Sequence, residues 1–332
     1  MEENQLELSK FKYFVFGDIH IMSHPKWYYD QCKDILLNKI PKVLKYFGIE
    51  TVIFLGDVFE RKNHISNKER MLLEDFIDEI KNYEIIFILG NHDFSSKDEN
   101  TCSFLKDKVL FVDNWYQRDN VLFASYKVNL LDFESEYLFC HHGINDLKPF
   151  RDVKIGLKDL HKKYGKIFSG HYHRRTIFNN FIYVGAPWQR DFRDCNYPSS
   201  VLLLSEDFRT KQWLSFDDHI VHHVQLKIDQ LHQLYNLKLN DGWKYRLWLE
   251  IKNPDDEREI RDYINNKFGE MLMEEPIIDI QIIESNNGNF VYNQDQIDYD
   301  QLLNQILDLE EVNDKKEYFD IGKGIFDEVE KN

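Results

Sequence analysis

Five short apolar runs in this chain each end in Asp, Asn or His. Phe14-Val15-Phe16 leads into Gly17-Asp18-Ile19-His20, and Val52-Ile53-Phe54-Leu55 into Gly56-Asp57. Ile85-Ile86-Phe87-Ile88-Leu89 leads into Gly90-Asn91-His92-Asp93. Tyr137-Leu138-Phe139-Cys140 leads into His141-His142-Gly143, and Lys166-Ile167-Phe168 into Ser169-Gly170-His171-Tyr172-His173. Carboxylate, amide oxygen and imidazole together suit Mn, Fe or Zn rather than an all-oxygen Ca site. Two such ions roughly 3.5–4 Å apart can activate one water and stabilise both the attacking and the leaving oxygen of a phosphoryl displacement.

The elements that must position these groups follow from the runs themselves. Each is short and rich in β-branched or aromatic residues, so it reads as a strand buried on both faces. The polar residues then sit at strand carboxyl ends, where open α/β sheets bind ligands. The glycines there let the backbone turn tightly.

The set Asp18-x-His20, Gly56-Asp57, Gly90-Asn91-His92-Asp93, His141 and Gly170-His171-x-His173 resembles the calcineurin-like binuclear metallophosphoesterases, over residues ~11 to ~205. That resemblance implies two divalent metal ions, Mn²⁺ foremost, and a hydroxide near Asp57 as nucleophile. Asp18, His20 and His173 would bind the first metal, Asn91, His141 and His171 the second, and Asp57 would bridge them. His141 is the first residue past its strand; a strand one residue longer would make His142 the ligand instead. His92 would sit beside the scissile phosphate, orienting it or protonating the leaving oxygen. Asp93 would orient His92, or serve only as a helix cap.

A second resemblance narrows the expectation. Ile182-Tyr183-Val184-Gly185-Ala186-Pro187-Trp188-Gln189-Arg190 is similar to the turn after the last metal motif of SbcD-type nucleases, the nuclease subunits of DNA-repair nuclease–ATPase complexes. Its Ala186-Pro187-Trp188 form resembles the phage recombination endonuclease subunits. The function so implied is a metal-dependent DNA exonuclease or endonuclease, dimeric within an SbcCD-like complex. Arg61, Arg174 and Arg190 are the candidate substrate-binding residues, with Lys62, Arg175 and Arg193 nearby; cations around the metals could hold a DNA backbone. The alternatives are a phosphatase or phosphodiesterase acting on nucleotides or phosphoproteins, and a scaffold on a retired esterase fold.

Composition sets the frame. The chain has 332 residues, 42% apolar and 15% aromatic, enough for two or three domains and a sizeable core. No apolar run approaches the ~18 residues of a membrane span, and the acidic start Met1-Glu2-Glu3 is unlike a signal peptide. The four cysteines, Cys32, Cys102, Cys140 and Cys195, form no Cys-x-x-Cys pair; a reducing cytoplasm is expected. The net charge of −16 argues against a simple nucleic-acid binder. Ligand carboxylates inflate it, however, and residues 286–332 hold twelve acidic residues and four lysines, half of the excess.

The expected architecture is α/β: a two-sheet metallophosphoesterase sandwich flanked by helices over residues 1–205, a small α+β DNA-binding capping domain over 206–285, and a linker with a helical tail over 286–332. Residues 27–47 read as a helix interrupted by Pro41, and 67–81 as a helix burying Met71, Leu72, Phe76, Ile77 and Ile80. In the tail, Leu302, Leu303, Ile306 and Leu307 share one helical face. By position it would dock on the coiled coil of an SbcC-like ATPase. Asp217-Asp218-His219 and His222-His223 suggest a further metal site, but strand alternation puts His222 and His223 on opposite faces.

Overall fold

The computed structural model describes residues 10–96, 99–144, 156–195, 197–228, 234–235, 237–240, 243–251 and 253–280. The expected linker and tail, 286–332, lie outside them, as does the loop 145–151.

Two six-stranded mixed sheets face each other. The first has the order β12-β11-β1-β2-β3-β4, with β1 Tyr13–Phe16, β2 Thr51–Phe54, β3 Glu84–Ile88, β4 Leu110–Val112, β11 Val201–Leu204 and β12 Lys211–Leu214. Strands β1 to β4 are parallel, β11 runs antiparallel to β1, and β12 turns back antiparallel to β11. The second has the order β5-β6-β7-β8-β10-β9: β5 Trp115–Arg118, β6 Val121–Ala124, β7 Ser135–Cys140, β8 Tyr164–Ser169, β9 Thr176–Phe178 and β10 Phe181–Tyr183. Alternation along the strands divides the core. Val15, Ile53, Ile86 and Ile88 point at Phe123, Phe139, Phe168 and Ile182 of the facing sheet. Phe14, Phe16, Val52, Phe54 and Phe87 point the other way, onto helices. The expected sandwich is thus present, and its first sheet continues past the Ser205 turn into β12.

The flanking helices are α1 Lys26–Asp34, α2 Ile40–Phe47 and α3 Asn67–Glu79. Between α1 and α2 runs a π-helical stretch, Ile35–Lys39. Pro41 has no N–H and its ring crowds the carbonyl four residues back, so the chain widens there instead of breaking. In α3 the Ser66 side chain accepts from Glu69 N while the Glu69 carboxylate accepts from Ser66 N, a capping box. Its buried face is Leu72, Leu73, Phe76 and Ile77; Met71, expected inside, is 59% exposed, one position off that stripe.

A third sheet is parallel: β13 Val221–Ile228, β14 Lys244–Ile251 and β15 Ile277–Ile280, with helix α4 Glu257–Phe268 packed on it through Ile260, Ile264 and Phe268. Hydrogen bonds among the described residues tie it to the sandwich. Gln31 Oε1 accepts from Val221 N (2.6 Å), Gln189 Oε1 accepts from His223 N (2.6 Å), and Trp27 Nε1 donates to Glu274 (3.0 Å). His222 stacks on Trp243 while His223 meets Phe192, so the two do fall on opposite faces. No helix among the described residues is long and apolar enough to cross a membrane.

Candidate active site

The carboxyl ends of β1, β2, β3, β7 and β8 converge at one edge of the sandwich. Four residues there hold left-handed backbone without being glycine: Asp18 (φ 54°), His20 (41°), Asp57 (54°) and His171 (79°). Such strain costs on the order of 1–3 kcal/mol each and persists where surrounding structure imposes it, typically at functional sites. Close approach of β2 and β3 depends on two glycines. A Cβ on Gly90 would lie 2.2 Å from Asp57 Oδ1, and one on Gly56 would lie 2.3 Å from Gly90 N.

Side-chain atoms gather in two sets sharing Asp57. In the first, His173 Nδ1 meets both oxygens of Asp194 at 3.0 Å, and His20 Nδ1 lies 2.9 Å from Glu60 Oε2. The His173 Nδ1 therefore carries its hydrogen, and its Nε2 faces that of His20 at 3.1 Å with Asp18 alongside. In the second, His141 Nδ1 donates to Leu55 O at 2.5 Å. Its Nε2 then faces Asn91 Oδ1 (3.1 Å), Asp57 Oδ2 (3.3 Å) and His171 Nδ1 (3.3 Å). Nitrogens and oxygens so placed present lone pairs to one another and need a proton or a cation between them. Imidazole, carboxylate and amide donors grouped this way fit two divalent ions. His142 is turned away, its Nε2 on Ser125 O at 3.1 Å and its ring on Tyr126.

The electrostatics are strongly polarised. Burial pushes Asp18 up to about 6, against the pull of His141 and His173. Burial would raise Asp57 too, but the adjoining His141 holds it well below the usual carboxylate range. His141 resists its own burial through Asp57 and rises to about 9. Burial lowers His20 to about 4 and His171 to about 3. A cluster of buried groups driven apart in this way, opening on a cleft, marks a functional site.

The cleft has a volume of about 350 Å³. His20, Asp57, Asn91, His92, His171 and His173 form its floor. His92 is oriented by Glu60, whose main-chain oxygen takes its Nδ1 hydrogen at 2.8 Å. Asp93 does not orient the His92 ring. Its fully buried carboxylate accepts from Asp57 N (2.8 Å), Gly90 N (2.8 Å) and Val58 N (2.9 Å), which clamps the β2 and β3 loops together. Arg174 and Arg190 line the cleft; Arg61 is exposed and does not. Arg190 is held by Glu60 (2.7 Å) and Asp191 (3.2 Å). The Ala-Pro-Trp turn is structural support: buried Trp188 donates to Ile19 O (3.1 Å) and Tyr28 Oη (2.9 Å), fixing the loop between Asp18 and His20.

Glu60 and Asp194 escaped the sequence reading. Neither follows a strand directly, and each earns its place only through a partner far along the chain. The spacing of Glu60, three residues past Asp57, was the one available signal.

The chain matches the calcineurin-like phosphoesterase family model over residues 11–260. It is 25% identical over 210 residues to "Exonuclease subunit 1" of Enterobacteria phage T4, a stretch that covers 55% of this chain and 61% of that protein. Among solved structures it is similar to an archaeal phosphodiesterase (16% identity, TM-score 0.34, 61% of this chain and 99% of that one). It is also similar to the nuclease MPE of Pseudomonas putida (15% identity, TM-score 0.32, 57% and 84%).

Proposed function

The chain belongs to the calcineurin-like phosphoesterases, which use a binuclear divalent metal centre, and from that premise we propose that it is the nuclease subunit of a DNA-processing complex, hydrolysing phosphodiesters. Asp18, His20 and His173 would hold one metal and Asn91, His141 and His171 the other, with Asp57 placed to serve both. The observation that carries this reading is the meeting of lone-pair atoms around Asp57, with His141 Nε2 at 3.3 Å and His20 Nε2 at 3.8 Å. When bound, the two cations would supply an activated water and neutralise charge on the phosphate oxygens.

The protein's own groups do the rest. Asp194 keeps the Nδ1 hydrogen of His173 away from the centre, which raises the basicity of the opposite nitrogen, and the Glu60 carboxylate stands 2.9 Å from His20 Nδ1. His92, fixed through Nδ1, offers Nε2 to the phosphate or to the departing oxygen. Arg174 and Arg190 bring positive charge to the backbone of a bound strand. The partial likeness to a phage exonuclease subunit supports a partner, for which an ATPase docking on 286–332 is the candidate, and supports DNA as substrate. The third sheet, on this reading, belongs to a capping domain that starts beyond β12 rather than at the expected residue 206, and guides DNA to the catalytic sandwich. Mn²⁺ is the ion we assign, from among those that a mixed set of nitrogen and oxygen donors accepts.

Calorimetric titration of the chelated protein with Mn²⁺ tests the centre. Two equivalents are expected for the wild type and a diminished stoichiometry or affinity for Asn91→Ala. Absence of any uptake by the wild type contradicts it.

A further inference from the structure

The wall of the cleft away from the buried donors carries chemistry that metal binding does not use. Tyr172, Arg174, Arg193 and Tyr197 line it. The Arg174 guanidinium lies over the Tyr197 ring, 4.4 Å from its centroid, and its Nη1 is 3.4 Å from the Tyr197 hydroxyl. Tyr197 is held firmly. Its carbonyl accepts from Gln189 Nε2 at 2.7 Å, and the other end of that buried amide binds His223 N of β13 at 2.6 Å. A phenol ring on an anchored main chain, with the planar cation of Arg174 beside it, therefore lines the candidate phosphodiester site, and Arg174 directly follows His173 in the chain.

We propose that Tyr197 and Arg174 form a nucleobase-stacking subsite, so that the site takes an unpaired nucleotide whose phosphate lies over the metal-binding residues. This rests on the nuclease reading and adds the substrate class to it. A phenol face and a guanidinium plane both stack on bases, and do so without preference for sequence because every base has a π-face. A base inside a duplex has both faces covered by its neighbours and cannot reach the platform; a frayed end or single strand can. Size agrees: a cleft of about 350 Å³ has room for one nucleotide. The Arg174–Tyr197 contact would open, or be shared, as a base slides against the ring.

The test compares two single-stranded oligonucleotides of one length, one with a normal terminal nucleotide and one with an abasic terminal residue, in Mn²⁺ with the full chain. The wild type should cleave the base-bearing end with a kcat/KM roughly tenfold or more above the abasic end, since stacking contributes about 1–3 kcal/mol per base. Tyr197→Ala should bring that ratio close to one, mainly through KM, while Tyr197→Phe, which keeps the ring, should retain it. A wild type indifferent to the missing base, or a Tyr197→Ala ratio equal to that of wild type, overturns the subsite and leaves the nuclease reading intact. A wild type that cleaves neither oligonucleotide yet hydrolyses p-nitrophenyl phosphate overturns both.

Discussion

Asp194 meets His173 Nδ1 with both carboxylate oxygens, each at 3.0 Å, and the same carboxylate accepts from Arg190 N at 3.0 Å. A candidate metal-binding imidazole, the turn Phe192–Asp194 and the start of the arginine-bearing loop are thereby fixed by a single side chain. Removing such a carboxylate from behind a ligand usually costs ten- to a hundredfold in metal affinity or activity. Asp194→Asn should therefore weaken Mn²⁺ binding by about that factor, with kcat largely restored at saturating Mn²⁺. Calorimetry and a metal titration of activity check both halves.

Gly90→Ala should be damaging despite its small size. The added carbon would lie 2.2 Å from Asp57 Oδ1 and 2.5 Å from Asp57 N. Backbone and a candidate bridging ligand must both move, which is expected to cost about 1–3 kcal/mol of stability and most of the activity. Urea denaturation together with a phosphodiesterase assay reads the two losses.

Trp188→Phe replaces a buried bicyclic ring by a smaller one and removes the Nε1 hydrogen from Ile19 O and Tyr28 Oη. Ile19 O keeps the Tyr28 hydroxyl as a donor at 3.3 Å, so the lost indole hydrogen bonds and the space left behind a smaller ring together should cost about 1–3 kcal/mol. The loss falls on the loop between Asp18 and His20, so activity should drop along with the denaturation midpoint.

These three sites also show what the chain reveals before it is folded. Strand runs such as Val52–Leu55 announce themselves by composition, and the donors that follow them keep the order of a known motif set, so most of the centre was legible. Contacts across long separations were not. Asp194 reaches back to His173 and Glu60 to His20 only because the sheets bring their loops together. Asp93, adjacent to His92, was read as its partner, yet in the fold it turns toward three backbone N–H groups of the β2 and β3 loops. The short strands β5, β9 and β12 lack a continuous apolar run and are half or more exposed. Periodicity has little to grip on there, because edge pairing rather than burial defines them.

Acid should loosen the join between the third sheet and the sandwich. His223 is buried against Phe192 and Trp27, and Arg246 Nη1 lies 3.2 Å from its Nε2. Burial, reinforced by Arg246, lowers it to about 4. A group whose folded pKa is depressed contributes stability that is complete above its unfolded pKa, about 6.5 for histidine, and is lost as pH falls toward the folded value. Between pH 7 and pH 4.5 this residue alone should cost about 2 kcal/mol. His223→Gln, neutral throughout, should show a pH dependence shallower by about that amount. Equal slopes for the two proteins in urea melts at both pH values would dismiss the idea.

The central claim is metal-dependent hydrolysis of DNA at the Asp57 centre, assisted by His92. End-labelled duplex and single-stranded DNA, incubated with wild type and with His92→Ala in Mn²⁺ and in EDTA, examine it most directly. Degradation in Mn²⁺ that vanishes in EDTA and falls by about a hundredfold or more in the variant is the predicted result. Intact DNA in every lane, beside ready hydrolysis of p-nitrophenyl phosphate by the wild type, would contradict the account and make the protein a phosphomonoesterase.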